Sequence, residues 1–279
     1  MSRKKPDSSK QAFPWLLFGA EFLGTALLVV VGLSLVILGF GQGSPIVQYI
    51  PDAGMRRLIT GFLFGTTGAL IAISPLGKES GAHINPVVTL AFWLTGKLNS
   101  WYALGYILAQ LAGAAFGALP LLAWGMMGSS VDFGATLPGL EYGVWMALLG
   151  EIITTFCLIS GLFCFLRLQL LRQFTPLLFP FLYSAMVFLE APISGTSTNP
   201  ARSFGPALIS GNWQDWWVYW LGPLLGTLLG VAIFRITRLG WLKIEVAKLY
   251  HFGQDRYGVF HSQDELKTRR RKEHHEYQA

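Results

Sequence analysis

From Phe13 to Phe40 the chain carries a single charged residue, Glu21, and from Asn99 to Leu166 only Asp132, Glu141 and Glu151. A soluble domain cannot hide runs of this length, because soluble chains average roughly 25% charged residues; this one has 13% over 279 residues, with 52% hydrophobic. Several membrane spans follow. They fall near 13–40, 56–74, 101–124, 142–166, 174–192 and 216–238. The first run is too long for a signal-peptide core and has no clear cleavage site, so it reads as a retained span.

Two short Asn-Pro segments interrupt this pattern. They read Ser80-Gly81-Ala82-His83-Ile84-Asn85-Pro86-Val87 and Ser194-Gly195-Thr196-Ser197-Thr198-Asn199-Pro200-Ala201. Each opens an apolar stretch, near 85–95 and 199–209, that rises only ~15 Å as a helix, half a bilayer core. Asn caps a helix N-terminus and Pro suits its first turn. The sequence therefore predicts an all-α membrane protein of six transmembrane helices plus two re-entrant half-helices.

The halves match each other. Glu21 and Glu151 each precede an Asn-Pro segment, and Gln110, Gly113 and Gly117 in the third span parallel Pro223, Gly226 and Gly230 in the sixth. The glycines recur every four residues, so each pair lines one helix face where backbones approach closely. Three spans per repeat is odd, so the second copy is inverted relative to the first. The expected organisation is a tail at 1–12, a first repeat at 13–124, a connecting loop at 125–141 on the outer face, a second repeat at 142–238 and a basic tail at 239–279.

Charge sets the orientation. The net charge is +6, and 18 of the 21 Lys and Arg residues fall on the side of the two tails, leaving Arg56, Arg57 and Arg202. That bias predicts both termini in the cytoplasm, in a plasma or inner membrane. The basic residues crowd the tails, so they read as solvated ends rather than a nucleic-acid surface. Cys157 and Cys164 lie ~10 Å apart along one helix, too far for a disulfide.

Inversion brings the two half-helix N-termini together near the membrane centre. Each carries partial positive charge and free N–H groups. Asn85 and Asn199 can cap with their carbonyl oxygens and point NH₂ donors into a lumen. Such donors hold the oxygen of a passing water while the field repels cations; the same geometry would also suit an anion. Arg202 is costly at this depth and should face a wet cavity or a partner, as a constriction residue that donates to permeants. Glu21 and Glu151 are expected to accept hydrogen bonds from loop backbone that would otherwise be orphaned. Glu190 lies near the end of the fifth span. His83 is the only His outside the C-terminal tail; it suits loop packing or pore lining, and a single His there does not make a metal site. No hydrolytic triad or phosphate loop is present, so no enzyme activity and no cofactor are expected.

Taken together, SGAHINPVVTLAFW (80–93), SGTSTNPARSFGPAL (194–208), AQLAG (109–113) and WLGP (220–223) resemble the major intrinsic protein family, the aquaporins and glycerol facilitators. The resemblance covers about 13–238. It implies an hourglass fold, a homotetramer in the lipid bilayer with one pore per subunit, and passage of water and small neutral solutes but not protons or ions. The family's Asn-Pro-Ala stands at Asn199, Pro200 and Ala201; the first copy is Asn85, Pro86 and Val87, where the valine is expected to alter packing more than chemistry. The four outer-constriction positions map to Phe64, Val187, Thr196 and Arg202, with Gly65 in place of Phe64 if no residue is inserted around 74–76. Strict water channels usually carry His where Val187 stands, so this constriction is expected to be wider and more apolar. Ser203, Ala207, Tyr219 and Trp220 follow the water-channel pattern. The alternatives are a facilitator mainly for glycerol, urea or ammonia, a coupled secondary transporter, and a junction or scaffold protein with a closed pore. A transporter should show site carboxylates able to bind Na⁺ or H⁺.

Overall fold

A computed structural model of the protein describes residues 13–237, 244, 246–255 and 257–260. The basic clusters at residues 3–10 and 267–272 lie outside the described residues. Eight principal helices run α1 (Trp15–Phe40), α2 (Ala53–Ile73), α3 (Pro86–Leu94), α4 (Ser100–Ala118), α5 (Val144–Arg167), α6 (Thr175–Ser194), α7 (Pro200–Ser210) and α8 (Val218–Ile236). Among the described residues six helices are long and apolar enough to cross a membrane. The half-helices α3 and α7 have nine and eleven residues, or ~13 and ~16 Å at 1.5 Å per residue.

The surface fits lipid rather than water. Leu27, Leu108, Phe181, Leu189 and Leu229 are exposed, whereas Glu21, Gln110, Glu151 and Thr155 are fully buried. That inverts the soluble arrangement, in which large exposed apolar faces are rare and carboxylates stay wet.

Glycines set the close helix crossings. A Cβ on Gly113 would lie 2.2 Å from the Phe22 carbonyl oxygen, and one on Gly226 2.5 Å from that of Ile152. These two contacts are the same crossing in each repeat, α4 on α1 and α8 on α5. At the centre, Gly61 and Gly65 of α2 sit against the Tyr183 and Phe179 carbonyls of α6, where a Cβ would approach to 2.5 and 2.3 Å. Only a residue without a Cβ lets these backbones meet.

The 125–141 connection contains an α-helical turn, Gly125–Ser129, and a 3₁₀ turn, Asp132–Gly134. The C-terminal tail is not simply solvated: Ile244, Val246, Ala247, Lys248, Leu249, Val259 and Phe260 are buried against the face where α1 begins and α8 ends. Apolar side chains here find a niche among the loops, which a count of basic residues does not reveal.

Candidate functional site

The two Asn-Pro loops have matching backbones. Gly81, Ala82 and Ile84 have positive φ, as do Gly195, Thr196 and Thr198. Positive φ is costly for a β-branched residue and persists only where the surroundings impose it. Here buried carboxylates impose it. Glu21 accepts from the backbone N–H of His83 (2.9 Å) and Ile84 (2.7 Å) and from Gln110 Nε2 (2.7 Å). Glu151 accepts from the N–H of Ser197 (2.6 Å) and Thr198 (2.9 Å) and from Ser194 Oγ (2.7 Å). Tyr106 and Tyr219 complete each cradle, donating to the carbonyls of Ser80 and Ser194 at 2.8 and 2.9 Å.

The Asn side chains meet at the middle. Asn85 Oδ1 accepts from the Val87 N–H at 3.0 Å, and Asn199 Oδ1 from the N–H of Ala201 (3.0 Å) and Arg202 (3.3 Å). Each amide then reaches across to the other loop: Asn85 Nδ2 donates to the Thr198 carbonyl (2.9 Å) and Asn199 Nδ2 to the Ile84 carbonyl (3.0 Å). The expectation that both NH₂ donors face the lumen is corrected to one. An amide has two N–H groups; one ties the half-helices together, and the other remains for the cavity that both residues line. Pro86 and Pro200 open the helices, and Val87 and Ala201 are buried behind them.

Two cavities flank this junction. On the side away from the tails, one of about 280 Å³ is lined by Arg57, Phe64, Val187, Thr196 and Arg202, among others. On the tail side, one of about 40 Å³ is lined by Phe64, His83, Asn85, Asn199 and Leu249, among others. The four mapped constriction positions share the larger cavity. Phe64 lies between the two cavities, and its ring centroid is 5.9 Å from Arg202 Cζ. Gly65 is a helix-crossing residue that touches only the smaller one.

Arg202 is buried, and its Nη1 donates to the Gly134 carbonyl at 2.7 Å. The 3₁₀ turn of the connecting segment thus holds the guanidinium. Thr196 Oγ1 donates to Glu190, a carboxylate with its other oxygen unpartnered. Behind the loop, Ser203 lies 2.7 Å from Thr136 Oγ1 and 2.5 Å from Ser197 Oγ. His83 packs flat on Phe92 at 4.7 Å and bonds Thr89 Oγ1 (3.2 Å) and the Ala247 carbonyl (3.0 Å). Its ring is thus packed within the loop and also lines the smaller cavity.

Sequence reasoning missed Gly134, Thr136, Ala247 and Leu249. The first two sit in a connection with no motif, and the last two in a tail read for charge alone. Gln110 was noted only as a repeat marker, although an amide inside an apolar span is a signal that something polar needs it.

A model of the family described as Major intrinsic protein matches residues 8–234. The chain belongs to this family. It is 33% identical over 233 residues to Aquaporin-4 of Mus musculus, covering 81% of this chain and 68% of that one. With Aquaporin TIP4-4 of Zea mays it shares 38% identity over 221 residues, 77% of this chain and 83% of that protein. The solved aquaglyceroporin of Plasmodium falciparum superposes with a TM-score of 0.66 at 18% identity, covering 82% of this chain and 99% of that chain. That structural likeness bears on the fold: this chain is an integral membrane protein with the helical architecture of the major intrinsic proteins.

Proposed function

We propose that the protein is a passive channel for water that also admits small uncharged solutes and excludes protons and ions. The observation that carries this reading is the pair of Asn tips, Asn85 and Asn199, set between two cavities at the meeting of opposed half-helix N-termini. Two positive helix ends repel cations, and the amide donors hold the oxygen of a neutral permeant without binding it tightly. Phe64, Val187, Thr196 and Arg202 form the selectivity filter. Val187 leaves one wall apolar, which suits passage of solutes somewhat larger than water. Glu21 and Glu151 are fully engaged with the loops, and Glu190, bonded to Thr196 and with its other oxygen unpartnered, is not among the residues lining the two cavities; this favours a channel over a coupled transporter.

The two repeats are units 13–124 and 142–238, joined by 125–141. The count of basic residues supports both termini in the cytoplasm, the membrane being the cell's plasma or inner one in this reading, and the family supports a homotetramer with one pore per subunit. Reconstituted vesicles holding a pH-sensitive dye test the central reading. They should pass water faster than protein-free vesicles while keeping an imposed proton gradient. Loss of the gradient at the rate of water flux, or no gain in water flux, goes against it.

A further inference from the structure

Resting on the channel reading, we propose that residues 246–255 form an internal plug that holds the tail-side mouth of the pore closed until it undocks. Leu249 lines the same narrow cavity as Asn85 and Asn199, which places it at the end of the water path. The two cavities differ in volume: about 280 Å³ on the far side against about 40 Å³ here. At ~10–15 Å³ for each water centre, the smaller space holds roughly three waters.

The segment is bonded to the first Asn-Pro loop itself. The Leu249 N–H donates to the Gly81 carbonyl at 3.1 Å, and His83 Nε2 donates to the Ala247 carbonyl at 3.0 Å. Lys248 Nζ donates to the Lys78 carbonyl at 2.6 Å, and His251 Nε2 to the Ile73 carbonyl at 2.9 Å. On the opposite rim, the Arg172 guanidinium lies 4.8 Å from the Phe252 ring centroid. The segment therefore bridges the two repeats across the opening. Gly81 leaves room for it: a Cβ there would lie 2.9 Å from the Ala247 oxygen.

The plug also has its own internal structure. The Ala247 N–H donates to the Phe260 carbonyl at 3.2 Å, and Asp255 accepts from the N–H groups of Val259 and Phe260, both at 3.0 Å. Lys248 is 1% exposed with its ammonium 4.6 Å from the Phe260 ring centroid. A lysine is seldom buried so fully unless paired; here the Lys78 carbonyl, the Phe260 ring and the nearby charges of Asp255 and Glu79 support it. Burial pushes its pKa down to about 8, which leaves it mostly protonated at pH 7. The four hydrogen-bonding groups of the plug meet the mouth of a pore, so undocking trades them for water rather than for lipid. That makes the closure reversible.

The test uses the full chain with a protease site inserted within 238–243, cut after purification, beside the uncut chain and the variant Lys248→Ala/Leu249→Ala. The first readout is water permeability per channel in vesicles. The gain on cutting is the reciprocal of the fraction of chains undocked before the cut, so a plug that is docked in most chains gives a several-fold rise in permeability. The second readout is the rate at which a small charged thiol reagent modifies Gly68→Cys, in a Cys157→Ser/Cys164→Ser background. Gly68 lines the narrow cavity, and a Cβ there meets only Leu28 Cδ1 at 4.0 Å. Cutting and the double variant should both speed modification. If cut and uncut chains match in both readouts while conducting water, the plug is overturned and the channel stands. If modification accelerates but no form outruns bare lipid, the plug stands and the channel reading fails.

Discussion

Glu21→Leu tests the claim that buried carboxylates hold the pore loops in their strained shape. Glu21 accepts three hydrogen bonds, two from loop N–H groups and one from Gln110. At the ~0.6 kcal/mol typical of interhelical bonds inside membranes, three losses cost ~2 kcal/mol. Two buried N–H groups left without any acceptor cost more, ~1–3 kcal/mol each, for an upper figure of ~6 kcal/mol. The higher figure is the better guide, because Leu offers no oxygen and the loop lies where water is scarce. Native proteins are held by only ~5–15 kcal/mol. At ~2–4 °C per kcal/mol, Glu21→Leu should lower the Tm in detergent by ~4 °C at least and by well over 10 °C at the upper figure. Glu21→Gln keeps one acceptor but turns an NH₂ toward the remaining donors, so it should fall between wild type and Leu. Thermal melts followed by gel filtration give the order. A Leu variant that melts with wild type refutes the reasoning, and a Gln variant that folds normally yet passes no water points to proton traffic through Glu21.

Gly113→Ala should destabilise and Gly19→Ala should not, although both glycines are helical: a Cβ on Gly113 meets the Phe22 carbonyl at 2.2 Å, and one on Gly19 meets nothing within 4 Å. Since Ala is otherwise better in a helix by ~0.5–1 kcal/mol, Gly19→Ala should melt slightly higher, and thermal melts read both signs. Val187→His adds a ring and a donor beside Phe64, so glycerol or urea uptake should fall far more than water flux in the same vesicles; equal proportional losses would remove Val187 from the filter. Arg202→Val takes away the guanidinium that Gly134 holds and should raise cation or proton leak, measured by dye quenching, while water flux persists.

The fold was legible because its strongest constraints are local. Charge-free runs marked the spans, and Asn-Pro at 85–86 and 199–200 marked the half-helix starts to within a residue. Glu21 and Glu151 were legible as loop acceptors because a carboxylate inside an apolar run needs donors, and strained backbone supplies them. The Gly113 and Gly226 crossings showed in their matching spacing. What escaped depended on contacts distant in sequence. Gly134 holds Arg202 from 68 residues away, through a backbone carbonyl that every residue possesses. The bond between His83 and Ala247 spans 164 residues, and that carbonyl too carries no side-chain signature. The single donor left on each Asn amide is illegible for another reason: the sequence does not show that the opposed loops present the carbonyls of Ile84 and Thr198 directly to the amides.

The temperature dependence of osmotic shrinkage, in vesicles holding a known number of channels cut within 238–243, tests passive water conduction directly. A continuous pore in which the permeant moves between weak donors gives shrinkage much faster than bare lipid, with an activation energy close to that of water self-diffusion. Shrinkage at the bare-lipid rate, or with the steep temperature dependence of lipid permeation, in well-reconstituted vesicles would contradict it.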